Sequence, residues 1–296
     1  MKNKNHKSGF VNIIGNPNVG KSTLMNKLVG EKLSIITSKS QTTRHRILGI
    51  VNDENHQIVF SDTPGIIEPN YNLQFSMMKF VKSAFLDADI FIYMIEIGEK
   101  MLKDKSFFER FKNTNIPILL LLNKIDKSNQ TEVEKCSKYW GSVLPKAKII
   151  PISALEGFGV EKIMNEIKNV LPEGSPFYPK DVLTDRPERF FVSEIIREKI
   201  LLNYHKEIPY SVEVVTESFN DEEKIIRIRA NINVTRATQK GIIIGHQGKA
   251  LKKVGTQARK DLEIFFGKKV FLEIFVKVAK NWRDKDKDLK RFGYLI

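Results

Sequence analysis

The sequence predicts two consecutive domains, an open and mostly parallel α/β sheet with helices on both faces, followed by a smaller α+β unit. Three observations carry that expectation. Short apolar runs alternate with amphipathic stretches through the first 170 residues; a segment rich in proline then breaks the pattern; and beyond it the order of runs changes. At 296 residues the chain is long enough to bury two cores.

Residues 10–14, 58–60, 90–95, 118–122 and 148–152 are apolar runs of strand length. Residues 22–29, 73–86, 103–111, 131–140 and 160–170 place apolar side chains at helical spacing. A further strand over 46–51 meets the next across Asn52-Asp53-Glu54-Asn55, which predicts an antiparallel hairpin. Pro172, Pro176, Pro179 and Pro187 mark a linker. The second unit begins with a helix over 191–203 and strands over 211–217 and 224–234. A glycine-punctuated loop, a helix over 249–266 and a strand over 270–278 follow. The tail, 280–296, alternates acids and bases and predicts a solvated terminal helix.

Forty-nine Lys and Arg against 35 Asp and Glu give a net charge of +14, which favours polyanionic partners, nucleic acid first and an acidic membrane surface second. A single cysteine, Cys136, excludes an intramolecular disulfide and a multi-cysteine zinc site, as expected in a reducing compartment. The first nine residues lack the apolar core of a secretory signal, and no apolar run approaches the roughly 20 residues that span a bilayer. A soluble cytosolic protein is the expectation.

Gly15-Asn16-Pro17-Asn18-Val19-Gly20-Lys21-Ser22 matches GxxxxGK[ST] directly after a predicted strand and at the start of a helix. Its backbone amides would converge on phosphate oxygens, with Lys21 on the β- and γ-phosphates, Ser22 on Mg²⁺ and Thr23 completing the set. Asp62-Thr63-Pro64-Gly65 follows a second strand; Asp62 is placed to hold Mg²⁺ through water, and the Gly65 amide to touch the γ-phosphate. Asn123-Lys124-Ile125-Asp126 follows a third. A carboxylate at Asp126 pairs with a ring N–H beside an exocyclic amine, which describes guanine and excludes adenine. Ser153-Ala154 follows the fifth strand, with the Ala154 amide placed for the guanine O6.

Gln41-Thr42-Thr43-Arg44 lies between the first helix and the hairpin. A threonine that ligates Mg²⁺ only beside a γ-phosphate would couple nucleotide state to loop order, and Thr43 is favoured over Thr42, although spacing does not separate them. Lys21, Thr43, Asp62 and Gly65 are thus the residues assigned to the phosphoryl chemistry. After Gly65 comes Ile66, where Ras-type GTPases place the glutamine that orients water, so slow intrinsic hydrolysis is expected.

The second domain carries its charge more densely. Residues 1–180 hold 25 bases and 18 acids and residues 181–296 hold 24 and 17. Between Arg236 and Lys260 lie Arg236, Lys240, Lys249, Lys252, Lys253, Arg259 and Lys260 without one acid. Within that window Ile242-Ile243-Ile244 precedes Gly245-His246-Gln247-Gly248, a GxxG that opens a helix. KH modules use this turn, in an α-β-β-α-α-β order, to clamp the backbone of about four single-stranded nucleotides. A lipid-binding helix would show a broad apolar face beside its bases; a membrane-associated switch is the alternative reading.

In order, GNPNVGKS, QTTRHR, DTPG, NKID, SAL, EIIREKI, EIPYS and GIIIGHQGKALKKVG resemble the Era family of bacterial GTPases, over about Gly9 to Tyr294. The resemblance implies a Ras-like P-loop GTPase domain over 1–172, a linker over 173–187 and a type II KH domain with its tail over 188–296. It implies GTP and GDP as ligands, Mg²⁺ as cofactor, the 3′ end of 16S ribosomal RNA as partner, and a role in assembling the 30S subunit. It also implies a cytoplasmic protein with a fraction at the inner face of the cell membrane. Ile66 agrees with the family. His246 and Gln247 stand where basic or small residues are frequent, and Leu155 stands where a lysine packs on guanine. Related GTPases with asparagine at the position of Asn18 coordinate K⁺, which makes K⁺ a second candidate ion.

Overall fold

In the computed structural model, which describes residues 6–99, 102 and 104–295, the chain divides into two compact units. One runs to Pro69 and from Met77 to Asp185; the other takes Asn70–Ser76 and Arg186 onward.

The first unit has a six-stranded sheet in the order β2-β3-β1-β4-β5-β6, built from β1 (Lys7–Ile14), β2 (Ile47–Asn52), β3 (His56–Asp62), β4 (Ile90–Glu96), β5 (Ile118–Asn123) and β6 (Lys148–Pro151). Every neighbouring pair is parallel except β2–β3, the hairpin that the polar turn predicts. Its helices are α1 (Lys21–Val29), α2 (Asn72–Leu86) from Met77 onward, α3 (Lys105–Lys112), α4 (Gln130–Val143) and α5 (Val160–Val170). The sequence places the start of α3 at Lys103, which lies outside the described residues; the Asp104 carboxylate caps the helix by accepting from Phe107 N at 3.0 Å. Strands β4 and β5 are buried on both faces. Tyr93 meets Phe111 at 5.2 Å and Trp140 at 5.4 Å between ring centroids, joining β4 to α3 and α4. Because β3 and β4 flank β1 on opposite sides, the chain leaves the sheet in opposite directions at the end of β1, and a crevice opens there.

The proline-rich segment after α5 is an ordered strap. Gln57 Oε1 accepts from Phe177 N at 2.6 Å and Tyr178 N at 3.0 Å, and Ile50 N donates to Leu183 O at 2.8 Å. Chain laid on β2 covers what would otherwise be an unpaired sheet edge.

The second unit is α6 (Glu188–Asn203), a single turn α7 (Ile208–Ser211), β7 (Val212–Asp221), β8 (Ile225–Val234), α8 (Ala237–Ile244), α9 (Lys249–Phe266), β9 (Lys269–Val278) and α10 (Asp286–Arg291). β8 pairs antiparallel with β7 and parallel with β9. Ile226, Ile228, Ala230, Ile232 and Val234 alternate toward the helices and pack with Val192, Ile196 and Ile200 of α6 and Val254, Ala258 and Leu262 of α9. The triplet 242–244, read in sequence only as an apolar run, is the last turn of α8. The solvated tail helix is a correction. Its charges alternate, but Trp282, Leu289, Phe292 and Tyr294 are buried, with Trp282 Nε1 donating to Ser211 O at 3.0 Å and Tyr294 OH to Glu213 Oε2 at 2.7 Å.

Candidate nucleotide site and nucleic-acid interface

The crevice at the strand ends gathers four separate sequence motifs. The loop between β1 and α1 folds through three residues with positive φ, Gly15 (155°), Asn18 (66°) and Gly20 (107°). A Cβ at Gly15 would strike the Met94 carbonyl, and one at Gly20 the Asn123 amide, so both glycines are required by space as well as by φ. Gly65 backs onto this loop: a Cβ there would lie 2.8 Å from the Pro17 backbone.

Lys21 is buried and donates through Nζ to Gly15 O at 3.2 Å and Asn16 O at 2.9 Å. Burial lowers its pKa to about 8 while Asp62 and Glu99 pull it back up. Two backbone carbonyls and the charges of Asp62 and Glu99 thus offset part of the desolvation of this buried ammonium.

Ser22, Thr43 and Asp62 converge. Ser22 Oγ donates to Asp62 Oδ2 at 2.8 Å and lies 2.9 Å from Thr43 Oγ1, and Thr43 Oγ1 donates to Asp62 Oδ2 at 3.3 Å. Thr42 Oγ1 instead bonds within its own loop, to Lys39 O and Thr37 Oγ1, both at 2.7 Å. Asp62 is fully buried, its pKa raised by that burial against the pull of Lys21 and the hydroxyls, and its Oδ1 has no hydrogen-bond partner among the described residues. A buried, orphaned carboxylate oxygen beside two hydroxyls fits Mg²⁺, which takes one or two protein oxygens and completes its shell with phosphate and water. Thr63 Oγ1 donates to Ile13 O at 2.8 Å, tying the second motif to β1.

On the base side Asn123 is the keystone. Its Nδ2 donates to Val19 O at 2.7 Å and its Oδ1 accepts from Ala154 N at 2.9 Å, joining the phosphate loop to the loop after β6. The Ala154 amide, expected at guanine O6, is thus engaged by Asn123, and a base must share it. Asp126 Oδ1 accepts from Ser153 Oγ at 2.6 Å, which fixes the carboxylate at the mouth of the cleft. Lys124 has left-handed backbone (φ 65°), and its Nζ lies 2.6 Å from Glu96 Oε2. The cleft also takes in Gln41 and Leu155, and with them Ile35 and Ile36, which no motif singles out.

Ile66 explains its own apolarity. Its side chain is fully buried in the core with Met78, Val81 and Phe91, while its N–H donates to Gly15 O at 3.1 Å. A glutamine there would bury an amide among apolar side chains, at a cost of about 1–3 kcal/mol. The position is a core position, so water must be oriented by something else. Asn18 Nδ2 donates to Ser38 O at 2.9 Å, which leaves Oδ1, the side chain's one cation-ligating atom, outside that bond.

In the second unit, α8 and α9 meet at the glycine turn. Gly245 (φ 69°, ψ 178°) and Gly248 (φ 75°) bracket the exposed His246 and Gln247. Gly245 packs on α9, since a Cβ would lie 2.6 Å from that of Ala250. Beside the turn runs a groove with an apolar floor of Leu251, Leu272 and Ile274 and a polar wall of Lys252, Thr256 and Arg259. Arg236, Lys240, Lys249, Lys253 and Lys260 are exposed and make no ion pair among the described residues; Arg259 pairs with Glu263 at 3.1 Å. Sequence reading reached the turn and its lysines but missed the β9 floor. The glycine within α9, Gly255, which lines the groove, was the available signal. Among the described residues no helix is long and apolar enough to cross a membrane.

Comparison with known proteins places both sites in context. Residues 10–124 match the family described as 50S ribosome-binding GTPase, and residues 207–283 match the KH domain. GTPase Era of Syntrophus aciditrophicus is 47% identical over 291 residues, 97% of this chain and 95% of that protein. The crystal structure of Era in complex with MgGDPNP and nucleotides 1506–1542 of 16S ribosomal RNA superposes with a TM-score of 0.93 at 39% identity, covering 98% of this chain and 100% of that one. A variant of Aquifex aeolicus Era bound to GDP and AlF₄⁻ gives the same TM-score, identity and coverage.

Proposed function

Since the chain belongs to the Era family of GTPases, we propose that it is a GTP-hydrolysing switch whose KH domain engages the 3′ region of 16S ribosomal RNA in the assembly of the small ribosomal subunit. The observation that carries this reading is the presence, in one chain, of a Ser22–Thr43–Asp62 cluster at the phosphate end of a guanine-type cleft and of a glycine turn flanked by exposed lysines.

Each residue has a part. Lys21 exchanges two backbone carbonyls for phosphate oxygens. Ser22 and Thr43 would ligate Mg²⁺ and Asp62 would hold it through water, and the ion would neutralise phosphate charge. Drawing Thr43 and Asp62 to one point orders the loops that carry them when a γ-phosphate is present, and hydrolysis releases that order. Asn123 keeps the phosphate and base halves in register, and Asp126 reads guanine. Ile66, at the position where Ras-type enzymes carry the water-orienting glutamine, is buried in the core, so a slow intrinsic rate is expected.

Filter retention of labelled 16S 3′-terminal fragments, with a non-hydrolysable GTP analogue and with GDP, tests the reading. Salt-sensitive retention that differs between the two nucleotides is expected. If the chain instead floats with acidic liposomes and ignores the fragments, the basic surface serves lipid. For Asn18, hydrolysis is expected to run faster in K⁺ than in Na⁺ buffer, and equal rates would remove it as a K⁺ ligand.

A further inference from the structure

Two acids at the end of β4 touch both halves of the nucleotide site, and neither belongs to any of its motifs. Glu99 Oε1 accepts from the side-chain amide of Asn16 in the phosphate loop, while Oε2 accepts the Glu96 backbone N–H at 3.1 Å. The turn that folds this carboxylate back passes through Gly98 (φ 90°) and is closed by Glu99 N on Glu96 O at 3.0 Å. Trp140 Nε1, from the core of α4, donates to the Glu99 carbonyl at 3.3 Å. Three contacts thus fix the turn itself. Glu96 in its turn holds Lys124, at 2.6 Å, beside the guanine-reading Asp126.

We propose that the Glu96–Glu99 turn is a brace whose residues act as positioning residues, Glu99 through Asn16 on the phosphate loop and Glu96 through Lys124 on the base loop. Asn16 is where that action has leverage. Its side chain is buried, and its carbonyl is one of the two that hold Lys21, so the orientation of its peptide sets both the lysine and the run of amides that follows. A charge-assisted bond from a fixed carboxylate is a strong way to keep it. Lys124, held in left-handed backbone, has the same need of an external tether. Glu99 also lies within the electrostatic reach of Lys21. A loose phosphate loop binds in the same place but holds its ligand less long, so the brace acts on nucleotide release.

The test is release of fluorescent mant-GDP from the full chain with Mg²⁺ present. Asn16→Ala and Glu99→Ala are each expected to speed release about tenfold, and the double variant no more than either, because both remove one interaction. The reciprocal exchange separates positioning from bulk stability. Asn16→Asp alone sets two carboxylates together, and Glu99→Gln alone leaves one side-chain oxygen to serve both the Asn16 amide and the Glu96 N–H, so each speeds release. Combined, the glutamine amide donates to the new carboxylate while its oxygen keeps the Glu96 N–H, and the rate returns to within about threefold of the parent. Unchanged release in Glu99→Ala, multiplying effects in the alanine pair, or no rescue by the exchange would each overturn the brace. The inference rests on the nucleotide site proposed above. Failure of the parent to bind mant-GDP would overturn that site, whereas parental binding with unaltered variant release overturns the brace alone.

Discussion

Replacing Asp126 by Asn is expected to lower GTP affinity by roughly two to three orders of magnitude and to raise affinity for xanthosine triphosphate. Guanine presents its ring N–H and exocyclic amine side by side, two donors that a carboxylate receives with two acceptors. Each charge-assisted bond contributes about 1.5–3 kcal/mol, and an amide turns one of them into donor against donor. Xanthine carries an oxygen where guanine carries the amine, so the amide of the variant regains both bonds. The scaffold should survive the change. Asp126 is exposed, it accepts from Ser153 Oγ at 2.6 Å, and an asparagine oxygen accepts that bond as well. Competition titrations with the two triphosphates read both effects in one experiment. GTP affinity equal to that of the parent would remove Asp126 as the base reader, and loss of both nucleotides would point to a collapsed loop.

The candidate nucleotide site was legible in sequence because the geometry of its loops constrains contiguous residues. A phosphate loop needs glycines where φ is positive and where a Cβ would strike Met94 O or Asn123, and those requirements print as a motif. The choice between Thr42 and Thr43 does not print, because adjacent residues with the same hydroxyl differ only in which way the backbone turns them. Glu96 and Glu99 were invisible for a related reason: their partners, Lys124 and Asn16, are 28 and 83 residues away along the chain, and only the parallel order β1-β4-β5 brings them together. The tail misled in the opposite sense. Alternating charge reads as a solvated face, yet four aromatic and aliphatic side chains spread over 13 positions, from Trp282 to Tyr294, bury themselves because tertiary packing is indifferent to the charges between them. In the KH unit the GxxG was legible as a turn. The groove floor was not, since Leu272 and Ile274 look like any strand residues until β9 is laid beside α9.

That groove yields the second large effect. Gly248→Asp is expected to abolish retention of single-stranded RNA, by at least about a hundredfold, and to leave GTP binding untouched. The two glycines of the turn make different variants. At Gly245, φ 69° with ψ 178° is a conformation open essentially to glycine, and a Cβ would press on Ala250 at 2.6 Å, so an aspartate there disturbs α9 as well as any ligand. Gly248 has φ 75° and ψ 4° with no atom within 4 Å of an added Cβ. Aspartate tolerates that left-handed region at a cost of about 1–2 kcal/mol, well within what a packed domain withstands. The new carboxylate would stand at the N-terminus of α9, where the backbone amides and Lys249, Lys252 and Lys253 otherwise offer a site for phosphates. It would occupy those amides intramolecularly and repel the strand that should lie on them. Gly248→Ala supplies the control, since it imposes the same backbone strain without charge and should retain most RNA binding. Unfolding monitored by circular dichroism separates a misfolded domain from a blocked one. A folded Gly248→Asp chain that still retains RNA with the parent's salt dependence would mean that the lysines bind RNA without the turn, and the clamp would have to be given up.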